Sequence, residues 1–183
     1  LAATFARPGH SRALPWPAQE PAFEPIRRNV GYFTMRGGTI GYLVNDDGVV
    51  VVDSQFPEPA QWLLDGLNTC LEQRTVDFLI NTHHHGDHTG GNVTFRGVAR
   101  HVVAHVKADE HMRRPPGAEP PADQLFPDTT FTEEWSAEVG DERITARHYG
   151  RAHTSGDAVI TFERANVVHM GDLVFNQRHP VVD

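Results

Sequence analysis

The sequence of 183 residues contains a single cysteine, Cys70, which excludes an internal disulfide bond. Its longest apolar run is four valines, Val49 to Val52, which is too short to span a bilayer. Acidic residues outnumber basic residues, which gives a net charge of −8. An acidic surface repels the phosphate backbones of nucleic acids. The nucleophile motif G-x-S-x-G is absent, so serine catalysis is a weak hypothesis. We therefore expect a small-molecule substrate, with no nucleic-acid or membrane partner.

The length and a hydrophobic content of 39% suit one domain with its own core. Residues 1–25 are rich in Pro and Ala and lack periodicity, which predicts an irregular arm before a domain over residues 26–183. The sequence begins at Leu1 rather than Met, which is compatible with a removed export signal and a periplasmic location, or with trimming. The oligomeric state is not readable from these features.

Strands alternate with helices in the first half of the sequence, whereas the second half is rich in strands, which predicts sheets covered by helices. The stretch Gly48–Asp53 is apolar without alternation and predicts a strand buried on both faces. Cys70 falls at helical spacing with Leu63 and Leu67, so we expect a buried thiol rather than a catalytic one. The other predicted strands are Val30–Met35, Thr39–Val44, Val76–Asn81, His101–Ala104, Thr130–Trp135, Arg143–Tyr149, Ala158–Glu163 and Asn166–Met170. Helices are predicted over Pro57–Gln73, with Trp62, Leu63, Leu67 and Leu71 on one face, and over His105–Met112.

The segment Asn81–Gly91 reads NTHHHGDHTGG and follows a buried apolar strand. In extended backbone alternate side chains point the same way, so His83 and His85 can converge while His84 faces away. Gly86 allows a sharp turn, after which Asp87 and His88 offer donors to a second point nearby. Imidazole and carboxylate suit Zn²⁺, Fe or Mn²⁺, so the pattern predicts a metal site rather than a polar loop with chance histidines.

Three further residues fit such a site. His153, in the small-residue loop GRAHTSGD, is a candidate third nitrogen at the first metal, although a lone histidine is often structural. Asp172 ends the stretch VVHMGD and could bridge two metals or simply occupy a turn. Asp53 ends the valine strand and could orient a metal ligand through a hydrogen bond, or cap a turn.

The patterns His83-x-His85-x-Asp87-His88, His153-Thr154-x-Gly156-Asp157 and Gly171-Asp172, in this order, resemble the metallo-β-lactamase superfamily. The stretch VVVVDSQF is similar to that family's early Asp motif. The resemblance implies an α/β fold, a four-layer αβ/βα sandwich with the site along one edge. It also implies that His83, His85 and His153 hold one metal, that Asp87 and His88 hold a second, and that Asp172 bridges them.

The implied activity is metal-dependent hydrolysis, with a hydroxide between two Zn²⁺ ions attacking an ester, thioester, lactone or lactam, and with Asp87 orienting the nucleophile. Gly171-Asp172 stands where one lactamase branch has a cysteine, so that branch is excluded. The pattern is similar to glyoxalase II-like enzymes and to hydrolases linked to sulfur-oxidation or quinoprotein systems, which the tail GDLVFNQRHPVVD resembles most. The substrate stays open.

One departure from the family concerns its last metal ligand, a histidine well after the bridging aspartate. Here His179 is the only histidine after Asp172, and its spacing favours a pocket-lining or structural role. We therefore expect a fold without its C-terminal portion and a second metal site without its last ligand. Two alternatives remain open: a mononuclear iron oxidoreductase similar to persulfide dioxygenases, and a metal-binding remnant without catalysis. Arg151, Trp62, Tyr149 and Phe175 are candidate pocket residues.

Overall fold

The computed structural model describes residues 20–71, 75–115, 117–175, 179, 181 and 182. Two β-sheets lie face to face, and one long helix covers the outer side of the larger sheet. The strands are β1 (Ala22–Arg27), β2 (Val30–Met35), β3 (Gly38–Asn45), β4 (Gly48–Val52), β5 (Val76–Ile80), β6 (Ala99–His105), β7 (Thr129–Phe131), β8 (Glu134–Val139), β9 (Glu142–Arg147), β10 (Val159–Phe162) and β11 (Val167–His169). The helices are α1 (Pro57–Leu71), α2 (Gly86–Thr89) and α3 (Val106–Arg113), with 3-10 turns at Gly90–Phe95 and Gly171–Leu173.

The larger sheet has seven strands in the order β1-β2-β3-β4-β5-β6-β7. The first four strands are antiparallel neighbours joined by tight turns, and β4 to β7 run parallel. The smaller sheet is an antiparallel meander in the order β11-β10-β9-β8. Parallel strands end at the same edge of a sheet, so the segments that follow β4 and β5 come together there.

The valines of β4 separate two hydrophobic layers, as predicted for a strand buried on both faces. Val50 and Val52 pack between the two sheets, where they meet Ile144 and Ile160 of the smaller sheet. The alternate valines, Val49 and Val51, face α1. On α1, Leu63 and Leu67 are buried as expected, but Trp62 is half exposed, because its position turns it away from the sheet. The side chains of Cys70 and Leu71 lie outside the described residues.

Several predicted strand ends differ from the structure by one or two residues, and two predicted segments differ in kind. The arm over residues 1–25 was expected to be irregular, yet Ala22–Pro25 belong to β1 and pair with β2; residues 1–19 lie outside the described part. The strand predicted over Thr130–Trp135 is two strands, β7 in the larger sheet and β8 in the smaller. Hydrophobic periodicity does not show where the chain passes from one sheet to the other, because the residues of both strands alternate in the same way.

The α/β class and the sandwich of two sheets agree with the fold predicted from the sequence. Among the described residues, however, no helix packs on the outer face of the smaller sheet, which presents the exposed side chains of Glu134, Ser136 and Glu138. Three of the four expected layers are therefore present in the described part. None of its helices is both long and apolar enough to cross a membrane.

Candidate metal centre

The histidine-rich segment leaves the carboxyl end of β5 and enters the short helix α2. Its backbone is tied to both sheets: the amide of Asn81 donates to the Val103 carbonyl at 2.9 Å, and that of Ala158 donates to the Thr82 carbonyl at 2.7 Å. The second bond brings the loop before β10, which carries His153, against a segment about 70 residues earlier in the chain. The site therefore depends on the two sheets being packed together.

Three ring nitrogens converge at this edge, from His83, His85 and His153. The Nδ1 atom of His85 lies 3.1 Å from His83 Nε2 and 3.0 Å from His153 Nε2. Two nitrogens at about 2.0–2.1 Å from a tetrahedral zinc ion lie roughly 3.3 Å apart, so these separations fit one shared cation. His83 and His153 are buried, and the three rings stand nearly perpendicular to one another. We call these residues the imidazole group.

A second set of ligand atoms comes from His83, His88 and Asp172, which we call the carboxylate group. Asp172 Oδ1 lies 3.1 Å from His88 Nε2, while its Oδ2 lies 3.7 Å from His153 Nε2. One carboxylate thus presents an oxygen to each group, the arrangement expected of a bridging ligand. The sharp turn before it requires Gly171, whose φ is +52° and where a Cβ would lie 2.5 Å from Thr82 Oγ1.

Asp87 lies beside these ligand atoms rather than among them. Its side chain is 60% exposed, and its Oδ2 is 3.9 Å from His88 Nε2. Because α2 begins at Gly86, Asp87 falls in the first turn and projects towards solvent while His88 projects inward.

His179 is exposed and belongs to neither group among the described residues. His84 faces away from both groups, as predicted, and stacks on His111 with ring centroids 4.6 Å apart.

The far nitrogens of three candidate ligands, His83, His88 and His153, are held by hydrogen bonds. His88 Nδ1 lies 2.8 Å from Asp53 Oδ2, and His153 Nδ1 lies 2.6 Å from the Val181 carbonyl oxygen. The Thr82 hydroxyl donates to Asp53 at 2.8 Å, which leaves its lone pair to accept from His83 Nδ1 at 3.1 Å. In metal sites, a ligating histidine almost always donates its other N–H to such a partner. The residues present therefore fit a zinc-type metal on donor chemistry as well as on spacing.

Asp53 is completely buried at the end of β4 with a left-handed φ of +64°. Its two oxygens accept from the Thr82 amide and hydroxyl, both at 2.8 Å, and from His88. The hydrogen-bonding role predicted as one of two alternatives for Asp53 is therefore the one that the structure places here. The sequence reasoning missed Thr82, although its position next to His83, at the end of a buried strand, was a usable signal.

The pKa values of the two histidines in the carboxylate group, His83 and His88, are shifted in opposite directions. Burial, together with the neighbouring His88 cation, lowers the pKa of His83 to about 3. Burial also acts to lower the pKa of His88, but the Asp53 carboxylate and the hydrogen bonds to Asp172 and Asp53 outweigh it and raise the pKa to about 10. Without a metal, His88 is therefore an imidazolium between two carboxylates at neutral pH, and His83 is neutral.

Two cavities open beside the ligand atoms. The larger, of about 590 Å³, is lined by His88, Asp172 and Asp87 together with Gln55 and the apolar Phe56, Val174 and Phe175. The smaller, of about 330 Å³, lies on the side of His85 and is lined by His84, His111, Met112 and two prolines. Of the candidate pocket residues, Phe175 lines the larger cavity, whereas Trp62 and Tyr149 are exposed and Arg151 lines neither.

The sequence model of the metallo-β-lactamase superfamily matches residues 34–183. A curated relative, the 2,4-dinitroanisole O-demethylase subunit alpha of Nocardioides sp. (strain JS1661), is 29% identical over 161 residues, which cover 83% of this chain and 46% of that protein. The chain thus spans about half the length of this relative.

Solved structures of subclass B3 and other metallo-β-lactamases have the same fold. MEM-A1, from a soil metagenome library, is 24% identical with a TM-score of 0.66, covering 79% of this chain and 58% of that one. MIM-1 of Novosphingobium pentaromativorans is 20% identical with a TM-score of 0.65, covering 81% and 59%. The enzyme of Pontibacter korlensis is 22% identical with a TM-score of 0.62, covering 78% and 67%. At these identities the likeness concerns the fold alone.

Proposed function

Because this chain belongs to the metallo-β-lactamase superfamily, we propose that it is the metal-binding part of a hydrolase that cleaves an ester, thioester, lactone or lactam bond of a small molecule. The observation that carries the proposal is the convergence of three imidazole nitrogens beside a carboxylate that reaches both groups. Bound Zn²⁺ would polarise the substrate's carbonyl and activate a water molecule as nucleophile near neutral pH.

Each residue has a role that follows from its position. His83, His85 and His153 would hold the first metal, and His88 with Asp172 would hold the second. Asp172 would keep the two sites at a fixed separation, because its oxygens face different groups. Asp87 is exposed and close to His88 Nε2, so it is suited to exchange a proton between the site and solvent.

The larger cavity supports a small-molecule substrate. Its volume of about 590 Å³ falls within the range of sites for small ligands, and it combines the candidate metal ligands with apolar walls. The net charge of −8 disfavours a nucleic-acid substrate. The expected substrate is therefore a small molecule whose reactive carbonyl enters the larger cavity beside His88 and Asp172.

A second candidate reaction is the hydrolysis of an activated aryl methyl ether to a phenol and methanol. It is favoured by the relative named as a 2,4-dinitroanisole O-demethylase subunit. The smaller cavity suits an aromatic ring, because the stacked rings of His84 and His111 lie in its wall with Met112 beside His85. Water supplies the oxygen and the proton in this reaction, so the same metal centre serves both candidates.

The test combines metal analysis with a substrate panel. The purified protein would be loaded with Zn²⁺ and assayed on a thioester, a lactone, a chromogenic β-lactam and 2,4-dinitroanisole. The double variant His83→Ala/His85→Ala should lose bound metal and hydrolysis together, whereas His84→Ala, its neighbour outside both groups, should keep its metal. Full metal content and activity in the double variant would end the proposal. One iron with oxygen uptake would favour the dioxygenase-like alternative, and metal without turnover would favour the remnant.

A further inference from the structure

Two buried nitrogen atoms in the wall of the larger cavity, Gln55 Nε2 and His169 Nε2, have no hydrogen-bond partner among the described residues. The side chain of Gln55 is 2% exposed, and its Nε2 atom makes no hydrogen bond there. Buried amide groups are nearly always paired, because an unpaired N–H loses its hydration without compensation. An exception of this kind, next to candidate metal ligands, leaves a hydrogen-bond donor available to a partner outside the described residues.

The backbone of Gln55 is held in a conformation that its side chain does not favour. Its φ is +52°, a left-handed value that is uncommon outside glycine. The strain is maintained by hydrogen bonds to the segment that carries His88: the Gly91 amide donates to the Gln55 carbonyl at 2.7 Å, and the Ser54 amide donates to the His88 carbonyl at 2.8 Å. Strained backbone of this type concentrates at functional sites, and here it couples Gln55 to a candidate metal ligand.

The turn between β2 and β3 leaves room for the carboxamide. A Cβ at Gly38 would lie 2.6 Å from Cδ and 2.9 Å from both Nε2 and Oε1 of Gln55, so the amide plane packs closely on the Gly38 backbone. The direction of the amide is thereby fixed by the Gly38 backbone, and Gln55 lies in the wall of the cavity that His88 and Asp172 also line. A pre-positioned donor of this kind costs little conformational entropy when it binds a ligand.

The charged groups around this cavity, apart from the histidine His169, are already engaged or have the wrong charge. The Arg36 guanidinium donates to Glu58 at 2.8 Å, and His88 is held between Asp53 and Asp172. Asp87 is a carboxylate and offers no donor to a substrate oxygen. Among the described residues, the unpaired nitrogen atoms of this wall are therefore Gln55 Nε2 and its neighbour His169 Nε2, and of the two only Gln55 is an amide.

We propose that the Gln55 carboxamide is a substrate-binding residue that donates a hydrogen bond from Nε2 to a neutral oxygen acceptor of the substrate, a carbonyl or nitro oxygen, in the larger cavity. The inference rests on the proposed function for the site, but it concerns recognition rather than metal chemistry. This hydrogen bond would favour the binding of uncharged carbonyl or nitro compounds over compounds without an acceptor oxygen near the reacting bond.

The test uses Gln55→Met, which keeps the length of the side chain and removes both polar atoms. The probes are 4-nitrophenyl acetate for kinetics and 4-nitroacetanilide, an amide analogue with the same acceptor oxygens, for calorimetric binding to the zinc-loaded protein. We expect KM and the analogue's Kd to rise about tenfold, the effect of one hydrogen bond, with kcat within about twofold and metal content unchanged.

Thermal unfolding of the free protein separates recognition from a structural role. Removal of an unpaired buried N–H should leave the melting temperature of Gln55→Met unchanged or raise it. The matched control is Gln124→Met, because Gln124 Nε2 donates to the Thr89 and Leu125 carbonyls at 3.1 and 3.3 Å. That variant should melt at a lower temperature.

The outcomes distinguish this inference from the proposed function. Equal Kd values for wild type and Gln55→Met, or no analogue binding to wild type at all, would overturn the role of Gln55. A fall in melting temperature with unchanged affinity would assign Gln55 a structural role instead. If the analogue binds about tenfold more weakly to Gln55→Met while no ester is hydrolysed by wild type, the binding role stands and the proposed hydrolysis fails.

Discussion

The imidazole group and the carboxylate group share His83 but are prepared for a cation in different ways. In the imidazole group, three nitrogens already face one point, and the pKa of His83 lies far below neutrality. In the carboxylate group, His88 carries a proton at neutral pH and is paired with Asp53 and Asp172. A metal entering there must displace that proton, so the first group should fill first.

The two groups also differ in the charges that surround them. The carboxylates of Asp53 and Asp172 and the imidazolium of His88 together carry one net negative charge before a metal arrives, and the two carboxylates compensate a dication once the His88 proton has left. The imidazole group has no carboxylate of its own apart from Asp172, whose Oδ2 is 3.7 Å from His153 Nε2. The two groups are thus coupled through one aspartate and one histidine.

The largest effect should come from the histidine that both groups share. His83→Ala removes a nitrogen from each group, so both metals should be lost, with an affinity decrease of more than about 100-fold and no residual hydrolysis. Metal content after dialysis measures the loss directly. His111→Ala, which removes the stacking partner of His84, should retain both metals. Retention of two metals by His83→Ala would disprove the shared-ligand arrangement.

The next test separates the groups. His88→Ala should lower the zinc content from two ions to one, because the three nitrogens of the imidazole group stay in place. His153→Ala, in contrast, should weaken the first site and also disturb the position of Asp172. Titration with a chromogenic zinc chelator gives both stoichiometries. If the two variants had the same zinc content and affinity, the distinction between the groups would be wrong.

A smaller effect is expected for Asp53, which contacts no metal itself but holds His88. Asp53→Asn should weaken the second zinc by about 10- to 100-fold, because the amide orients His88 less well and no longer supports its charge. The same change should lower the pKa of His88, which chemical-shift titration of its ring protons can follow. An unchanged His88 pKa would contradict the assigned role of Asp53.

The last prediction involves no metal and concerns the pH dependence of stability in the chelator-treated protein. The pKa of His83 is about 3 in the folded state and 6.5 in the unfolded state. Below pH 6.5 the unfolded chain therefore binds more protons than the folded chain, and stability falls as the pH falls. The His88 pKa is about 10, so above 6.5 the folded chain holds more protons and stability falls as pH rises. Urea midpoints should therefore be highest near pH 6.5. His88→Gln should remove most of the alkaline decline, and an unaltered decline would assign it to other groups.

Prediction from the sequence succeeded where chemistry and spacing lie within one segment. The convergence of His83 and His85 and the opposite direction of His84 follow from the alternation of side chains in extended backbone. Prediction was weaker where a turn intervened. Asp87 was expected among the second metal's ligands, yet its carboxylate is mostly exposed and 3.9 Å from His88 Nε2, because the helix that starts at Gly86 rotates it outward.

The sequence by itself determined which donor atoms are available, that they follow a buried strand, and that their chemistry suits a zinc-type cation. Only the tertiary structure decided that His83 contributes to both groups, that Asp53 holds His88, and that the Gln55 Nε2 atom has no partner within the described part of the chain. The physical reason is that periodicity fixes directions within a strand or helix, whereas distances between segments separated by 30 to 100 residues are set by how the two sheets pack.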